Sequence, residues 1–404
     1  MKAGWTTKPL DEACTFINGL WKGEKAPLKM VGVIRNTNFT KDGTLDDSEI
    51  AFIDVEAKKF EKRKLNPGDI ILEKSGGGPK QPVGRVVLFD KPEGDYSFSN
   101  FTAAIRVKSV SEVDPRFLHK LLHWTYLSGV TEGMQSHSTG IRNLDGDKYK
   151  AIQISYPGID EQRRIVTLLD EAFADIATAK ANAEKNLQNA RELFESHLQA
   201  IFSTRGANWE DKTLEQISTT FGRGKSRHRP RNDPALYGGK YPFVQTGDVR
   251  NADHIITEFS QTYSEAGLAQ SKLWPKGTIC ITIAANIAET GILGFDACFP
   301  DSVIGVVPNP NEAEVGYVEY VLQSFKARLQ ALGQGSAQAN INMGTFENER
   351  FPFPKVEEQR RIVAELDALS EESQRLESIY RQKLTALDDL KKSLLHQAFS
   401  GKLS

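Results

Sequence analysis

One duplicated segment limits what this chain can fold into. Glu161-Gln162-Arg163-Arg164-Ile165-Val166 recurs as Glu358-Gln359-Arg360-Arg361-Ile362-Val363, and a single offset of 197 lays residues 157–203 over 354–400 without a gap. One structural solution is used twice. A repeat of this size points to pseudo-two-fold geometry and to a partner or ligand that is itself two-fold.

Both copies carry helix punctuation. Pro157 and Pro354 precede them, acids fill the first turn (Asp160, Glu161; Glu357, Glu358), and Gly206 and Gly401 follow. Each reads as one continuous helix, and the run from Asp160 to Ser203 would be roughly 65 Å long at a rise of ~1.5 Å per residue. In the second copy Ile362, Leu366, Leu369, Ser373, Leu376, Tyr380, Lys383, Leu387, Leu390 and Leu394 alternate at four and three residues, the seam of a coiled coil. The same frame in the first copy gives the smaller set Ile165, Leu169, Ala172, Ile176, Ala179, Ala183, Asn186, Ala190, Leu193 and His197. The two helices are expected to pair antiparallel, with a globular domain at each end.

The remaining segments echo each other more faintly. Trp5, Lys8 and Leu10 match Trp209, Lys212 and Leu214 at an offset of 204, while Val107, Leu121 and Leu122 match Val307, Val321 and Leu322 at 200. The expected class is therefore α+β: two mixed α/β domains (residues 1–157 and 206–355), separated by a long antiparallel two-helix coiled coil (158–205 and 356–404). A constant rod carrying divergent domains fits a rod that sets geometry and domains that read different things.

Composition narrows the function. Three scattered cysteines, Cys14, Cys280 and Cys298, give neither a disulfide framework nor a zinc-ligand spacing. No signal-like start and no apolar run of ~20 residues occurs, so a cytoplasmic protein is expected. The net charge of −2 hides a local asymmetry: between Glu215 and Asp233 no acid occurs, while Arg223, Lys225, Arg227, His228, Arg229 and Arg231 all do. Gly224-Lys225-Ser226 imitates the end of a phosphate-binding loop, but Thr219 stands where its first glycine belongs. His119 and His123 have helical metal-ligand spacing without a third ligand nearby, and no metal is expected. No nuclease cluster, nucleophile elbow or Asn/Asp-Pro-Pro-aromatic pocket is present, so no catalytic residue and no cofactor are assigned.

The order of variable domain, helix opening Pro-x-x-x-Glu-Gln-Arg-Arg-Ile-Val, second variable domain and second such helix, with the tail Ala398-Phe399-Ser400-Gly401-Lys402-Leu403, resembles the specificity subunit of Type I restriction-modification systems. The resemblance spans essentially the whole chain. It implies that each domain is a target recognition domain reading one half of a split duplex DNA site, with the helices fixing the spacer. It also implies two methyltransferase subunits as partners, using S-adenosylmethionine, and restriction subunits using ATP and Mg. A coiled-coil spacer joining two protein-binding domains, or the recognition subunit of a methylation-only system, are the alternatives.

DNA contacts are expected first at Arg223, Lys225, Arg227, Arg229 and Arg231, because arginines clamp phosphate or reach guanine O6 and N7. The bland alternative is a solvated charged loop. In the first domain Lys74, Ser75, Lys80 and Arg85 flank a glycine turn. Arg35, Asn36 and Asn38 lie at a place comparable to Gln245 and Thr246 in the second domain, where amides or Thr can read adenine or thymine edges. Arg142, Asn143, Asn340 and Asn342 are further candidates. Pro157, Gln162, Arg163 and Ile165, with Pro354, Gln359, Arg360 and Ile362, are read as anchors of each helix on its own domain.

Overall fold

The computed structural model describes residues 4–20, 25–78, 81–138, 141–228, 230–284, 287–334, 341 and 343–402. The chain divides into two compact units, residues 1–183 with 382–404 and residues 184–381. Each unit joins one globular domain to a stretch of both long helices, Ile159–Ser203 and Val356–Ser400.

In the first unit an antiparallel sheet runs Cys14–Asn18, Thr102–Val107, Ile70–Glu73, Val86–Leu88. In the second unit the corresponding order is Ser218–Arg223, Val303–Pro308, Ile279–Thr282, Thr290–Leu293, with Ile255–Ile256 added parallel at the edge. The central strands are apolar on both faces (Ile70, Ile71, Leu72; Ile279, Cys280, Ile281 are all buried), as a sheet covered on both sides requires. Pro115–Leu127 packs on the first sheet and Val315–Ser324 on the second. A smaller sheet (Leu28–Ile34 with Ala51–Glu56 and Tyr96–Phe98) flanks the first core; the pair Tyr237–Phe243 and Gln261–Tyr263 flanks the second.

Each domain is seated on its long helix by one buried glutamine. The Asp114 N–H donates to Gln162 Oε1 at 2.8 Å, and Gln162 Nε2 donates to the carbonyls of Glu112 and Pro157, both at 2.8 Å. In the second unit the Glu314 N–H donates to Gln359 Oε1 at 2.8 Å, and Gln359 Nε2 reaches the carbonyls of Glu312 (3.1 Å) and Pro354 (2.8 Å). Both glutamines are fully buried, so every bond replaces one that water would otherwise make. The faint echoes serve the same joint. Lys8 pairs with Glu112 at 2.6 Å and Lys212 with Glu312 at 2.9 Å, while Trp5 meets Phe117 and Trp209 meets Tyr317 edge-on, each with ring centroids 6.4 Å apart. Ile165 and Ile362 are buried beside the clamps and Pro157 and Pro354 are buried at the helix entries. Arg163 stays exposed, 3.9 Å from Asp114 and from Asp160, and Arg360 is exposed.

Within each unit the helix segments run antiparallel. Ile165, Val166 and Leu169 share a core with Leu395 and Ala398, and Lys180 bonds Asp388 at 2.8 Å. In the second unit Leu198 and Phe202 share a core with Ile362 and Leu366, and Arg191 pairs with Glu377 at 3.0 Å. The small stripe allows close approach, since Ser373 Oγ donates to the Ala190 carbonyl at 2.6 Å.

Beyond Ala183 and Tyr380 the expected seam holds only in part. Ala190, Leu387 and Leu394 stay covered, but Leu187 and Phe194 are covered in place of Asn186 and Leu193, and Leu384 and Lys391 in place of Lys383 and Leu390. A straight helix of 3.6 residues per turn drifts from a strict heptad, and a four-plus-four step, 179–183–187 and 376–380–384, restores the facing stripe. Leu193 and Leu390, equivalent in the repeat, are left 50% and 46% exposed.

Candidate nucleic-acid interface

The basic segment of the second domain is pinned. The Gly224 N–H donates to the Val303 carbonyl at 2.9 Å, and Gln270 Oε1 accepts from the backbone N–H groups of Arg227 (2.6 Å) and His228 (3.0 Å). Ser271 Oγ bonds the Lys225 carbonyl at 2.8 Å, and Tyr237 Oη bonds that of Arg231 at 2.7 Å. Gly224 is required, because a Cβ there would collide with the carbonyl oxygens of Phe299 and Pro300. A loosely solvated loop does not carry such a set of backbone bonds.

Its side chains divide in two. Arg223 is spent on the Asp301 carbonyl at 2.7 Å, Arg231 on both Asp301 carboxylate oxygens at 3.0 and 2.8 Å, and His228 on Asp233 at 2.9 Å. Lys225 and Arg227 are exposed and form no ion pair among the described residues. Lys272 stands over the Trp274 ring at 3.6 Å, and burial, with a smaller contribution from the charge of Lys225, lowers its pKa. Arg229 lies outside the described residues.

The comparable positions of the two domains are built alike. The strand Leu28–Ile34 ends at Arg35, whose N–H donates to Asn38 Oδ1 at 3.0 Å, and Tyr237–Phe243 leads to Gln245, whose N–H donates to Asp248 Oδ2 at 2.7 Å. Each opens a single helical turn. Asn38 is buried and holds this turn together, with its Nδ2 on the Asp46 carbonyl. Gln245 and Thr246 line an open cleft of about 350 Å³ together with Ser226, Arg231, Asn232 and Gln261.

In the first domain Asn36 lines a cleft of about 370 Å³ with Thr37, Gly76, Gly78, Gln81 and Arg85. Arg85 lies at its base, bonded to the buried Glu73 at 2.8 and 2.9 Å and to the carbonyls of Phe39 and Asn36. Asn36 Nδ2 also reaches Glu73, at 3.3 Å. Ser75 Oγ donates to Asn143 Oδ1 at 2.6 Å, because Ser75–Gly77 pairs with Ile141–Leu144, and Arg142 bonds Gln135 at 3.3 Å. Lys74 bonds Asn18 at 2.9 Å and burial lowers its pKa. The structure thus gathers Asn36, Ser75, Arg85, Arg142 and Asn143 around one glycine hairpin, with Arg85 committed inward, while the Arg35 guanidinium goes to the Glu49 carbonyl at 3.2 Å. Lys80, Asn340 and Asn342 lie outside the described residues. Sequence reasoning missed Glu73, Gln261, Gln270 and Asp301, which fix the candidates; no local motif marks a partner 12 to 78 residues away.

No cluster of metal-ligating residues occurs among the described residues. His119 and His123 stack with centroids 6.2 Å apart, and burial drives their pKa values down to about 4 and about 3. They pack as neutral rings. Among the described residues no helix is long and apolar enough to cross a membrane. Cys14, Cys280 and Cys298 are buried free thiols.

The sequence profile of the Type I restriction modification DNA specificity domain matches residues 2–187 and 207–385, one copy per unit. The specificity subunit of the StySPI Type I restriction enzyme of Salmonella potsdam is 23% identical over 99% of this chain and 89% of its own length. That of EcoKI from Escherichia coli K12 is 24% identical over the same shares. Among solved structures, the HsdS subunit of Thermoanaerobacter tengcongensis superposes with a TM-score of 0.67 at 20% identity, covering 100% of this chain and 98% of that one. A chain from a study of complex assembly and conformational transition of a type I R-M system gives 0.81, also at 20% identity, covering 100% and 99%. With two profile copies over most of its length, two like domains and a duplicated helical joint, the chain belongs to the Type I restriction-modification DNA specificity family and is a non-catalytic, sequence-recognising specificity subunit.

Proposed function

We propose that each domain reads one half of a bipartite duplex site, and that the paired helices set the distance between halves and dock two methyltransferase subunits. The carrying observation is the duplicated joint: Gln162 and Gln359 make the same three bonds, so unlike domains are seated on their helices in one way. Two readers on one duplex must keep a helical phase of ~34 Å or a multiple, which a stiff spacer maintains and a flexible tether does not. Leu193 and Leu390 support the second part of the reading, because equivalent exposed leucines suit two copies of one apolar partner surface. Adenine methylation with S-adenosylmethionine, and ATP- and Mg-dependent translocation and cleavage, belong on this reading to the partners. Duplex binding should be sequence-selective and fall steeply with salt. Salt-independent or sequence-blind retention of duplexes by the assembled complex would remove the reading.

A further inference from the structure

In the second domain one amide is fixed in place and, among the described residues, keeps a free hydrogen-bonding edge. Gln245 Nε2 donates to Gln261 Oε1 at 2.7 Å, and Gln261 sits opposite Phe243 on the neighbouring strand. The Gln245 main chain is held separately, through its N–H on Asp248. A primary amide carries two N–H donors and a carbonyl with two lone pairs. One hydrogen goes to Gln261, which leaves one N–H beside the carbonyl oxygen. Turning both amides over changes which atom meets Gln261, yet a donor still stands next to an acceptor. This side chain lines the cleft that also holds Ser226, Arg231 and Asn232 of the basic segment, with Lys225 and Arg227 free to take phosphate nearby.

A donor beside an acceptor at amide spacing complements the N7 acceptor and N6 amino donor of adenine in the major groove. Guanine, whose N7 and O6 both accept, is mismatched. Resting on the reading of this domain as a recognition domain, we propose that Gln245, buttressed by Gln261, is a specificity-determining residue for an adenine in the half-site of the second domain. The first domain lacks this device. Arg35 occupies the corresponding turn position and its guanidinium goes to the Glu49 carbonyl at 3.2 Å, while Asn36 donates inward to Glu73.

The test is selection from a randomised duplex pool by the intact chain co-expressed with a methyltransferase subunit, followed by sequencing of the retained DNA. The unaltered chain should enrich a motif with an A·T pair in one half that Q245A leaves unspecified, losing on the order of tenfold in discrimination there while other positions stand. Q261A should loosen the same position in part, and Q245E, which exchanges the donor for a second acceptor, should move it toward cytosine. R227A should lower retention of all duplexes alike. An unchanged motif in Q245A and Q245E, or relaxation at a G·C pair, overturns the adenine assignment while leaving DNA recognition intact. Absence of any enriched motif with the unaltered chain overturns DNA recognition, and the assignment falls with it.

Discussion

Replacing Gly224 by alanine drives a methyl group into the carbonyl oxygens of Phe299 and Pro300, so the segment bearing Lys225 and Arg227 must shift. G224A should therefore weaken duplex binding with little change in far-ultraviolet circular dichroism; equal binding would show that the pinned position of the segment is irrelevant. The clamps give a sharper stability test. Q162A strands the Asp114 N–H and the carbonyls of Glu112 and Pro157 in a buried joint. At about 1–3 kcal/mol for each buried group left unpaired, a loss on the order of 3 kcal/mol is expected in urea unfolding, and Q359A should match it. A loss below about 1 kcal/mol in either variant would mean the joint is wet. Titration divides the units. His119 and His123 resist protonation when folded and take protons near 6.5 when unfolded, so their unit loses stability as pH falls from about 6.5 toward 4. His254 behaves oppositely. Burial disfavours its charge, but the bond to the fully buried Glu319 at 2.7 Å together with the charges of Glu319, Asp367 and Glu314 outweighs that and raises its pKa. Its contribution is complete below about 6.5 and fades as pH rises through the folded value. Unfolding midpoints of H123Q and H254Q across pH 4 to 9 should flatten the acid and alkaline limbs respectively; unaltered limbs would contradict these assignments.

At the scale of elements, the long helices were legible in detail and the sheets only in outline. Pro157, the first-turn acids and Gly206 bracket a helix that the structure gives as Ile159–Ser203, because caps and a long periodic stripe are local signals. Past Ala183 the seam was legible at Ala190 and Leu387 but not at Leu187 or Leu384, since a heptad template hides the slow drift of a straight helix until the facing residues are known. The same blindness applied to Arg85 and Asn38. As residue types they suit base contact, but Glu73 and the Asp46 carbonyl, which occupy them, approach through tertiary folding. The alanine stripe makes its own prediction. A190L places a leucine where Ser373 Oγ touches the helix backbone and should cost about 1–3 kcal/mol by overpacking, read as a lower thermal midpoint; an unchanged midpoint would mean the helices do not approach there.

For the whole molecule, the duplication visible in the sequence reappears as duplicated chemistry: Lys8 with Glu112 and Lys212 with Glu312, Trp5 on Phe117 and Trp209 on Tyr317, one clamp glutamine in each unit. What differs lies in the clefts, one built over an Arg85–Glu73 pair and the other beside Gln245 and the basic segment. Constant joints with unlike clefts are what two independent readers need. Sequencing of methylated adenines in cells carrying the unaltered chain, and then a version with residues 206–355 exchanged for the second domain of a relative, tests this most directly. The account predicts a split motif in which one half changes while the other half and the spacing persist. Alteration of both halves, or of the spacing, would contradict it.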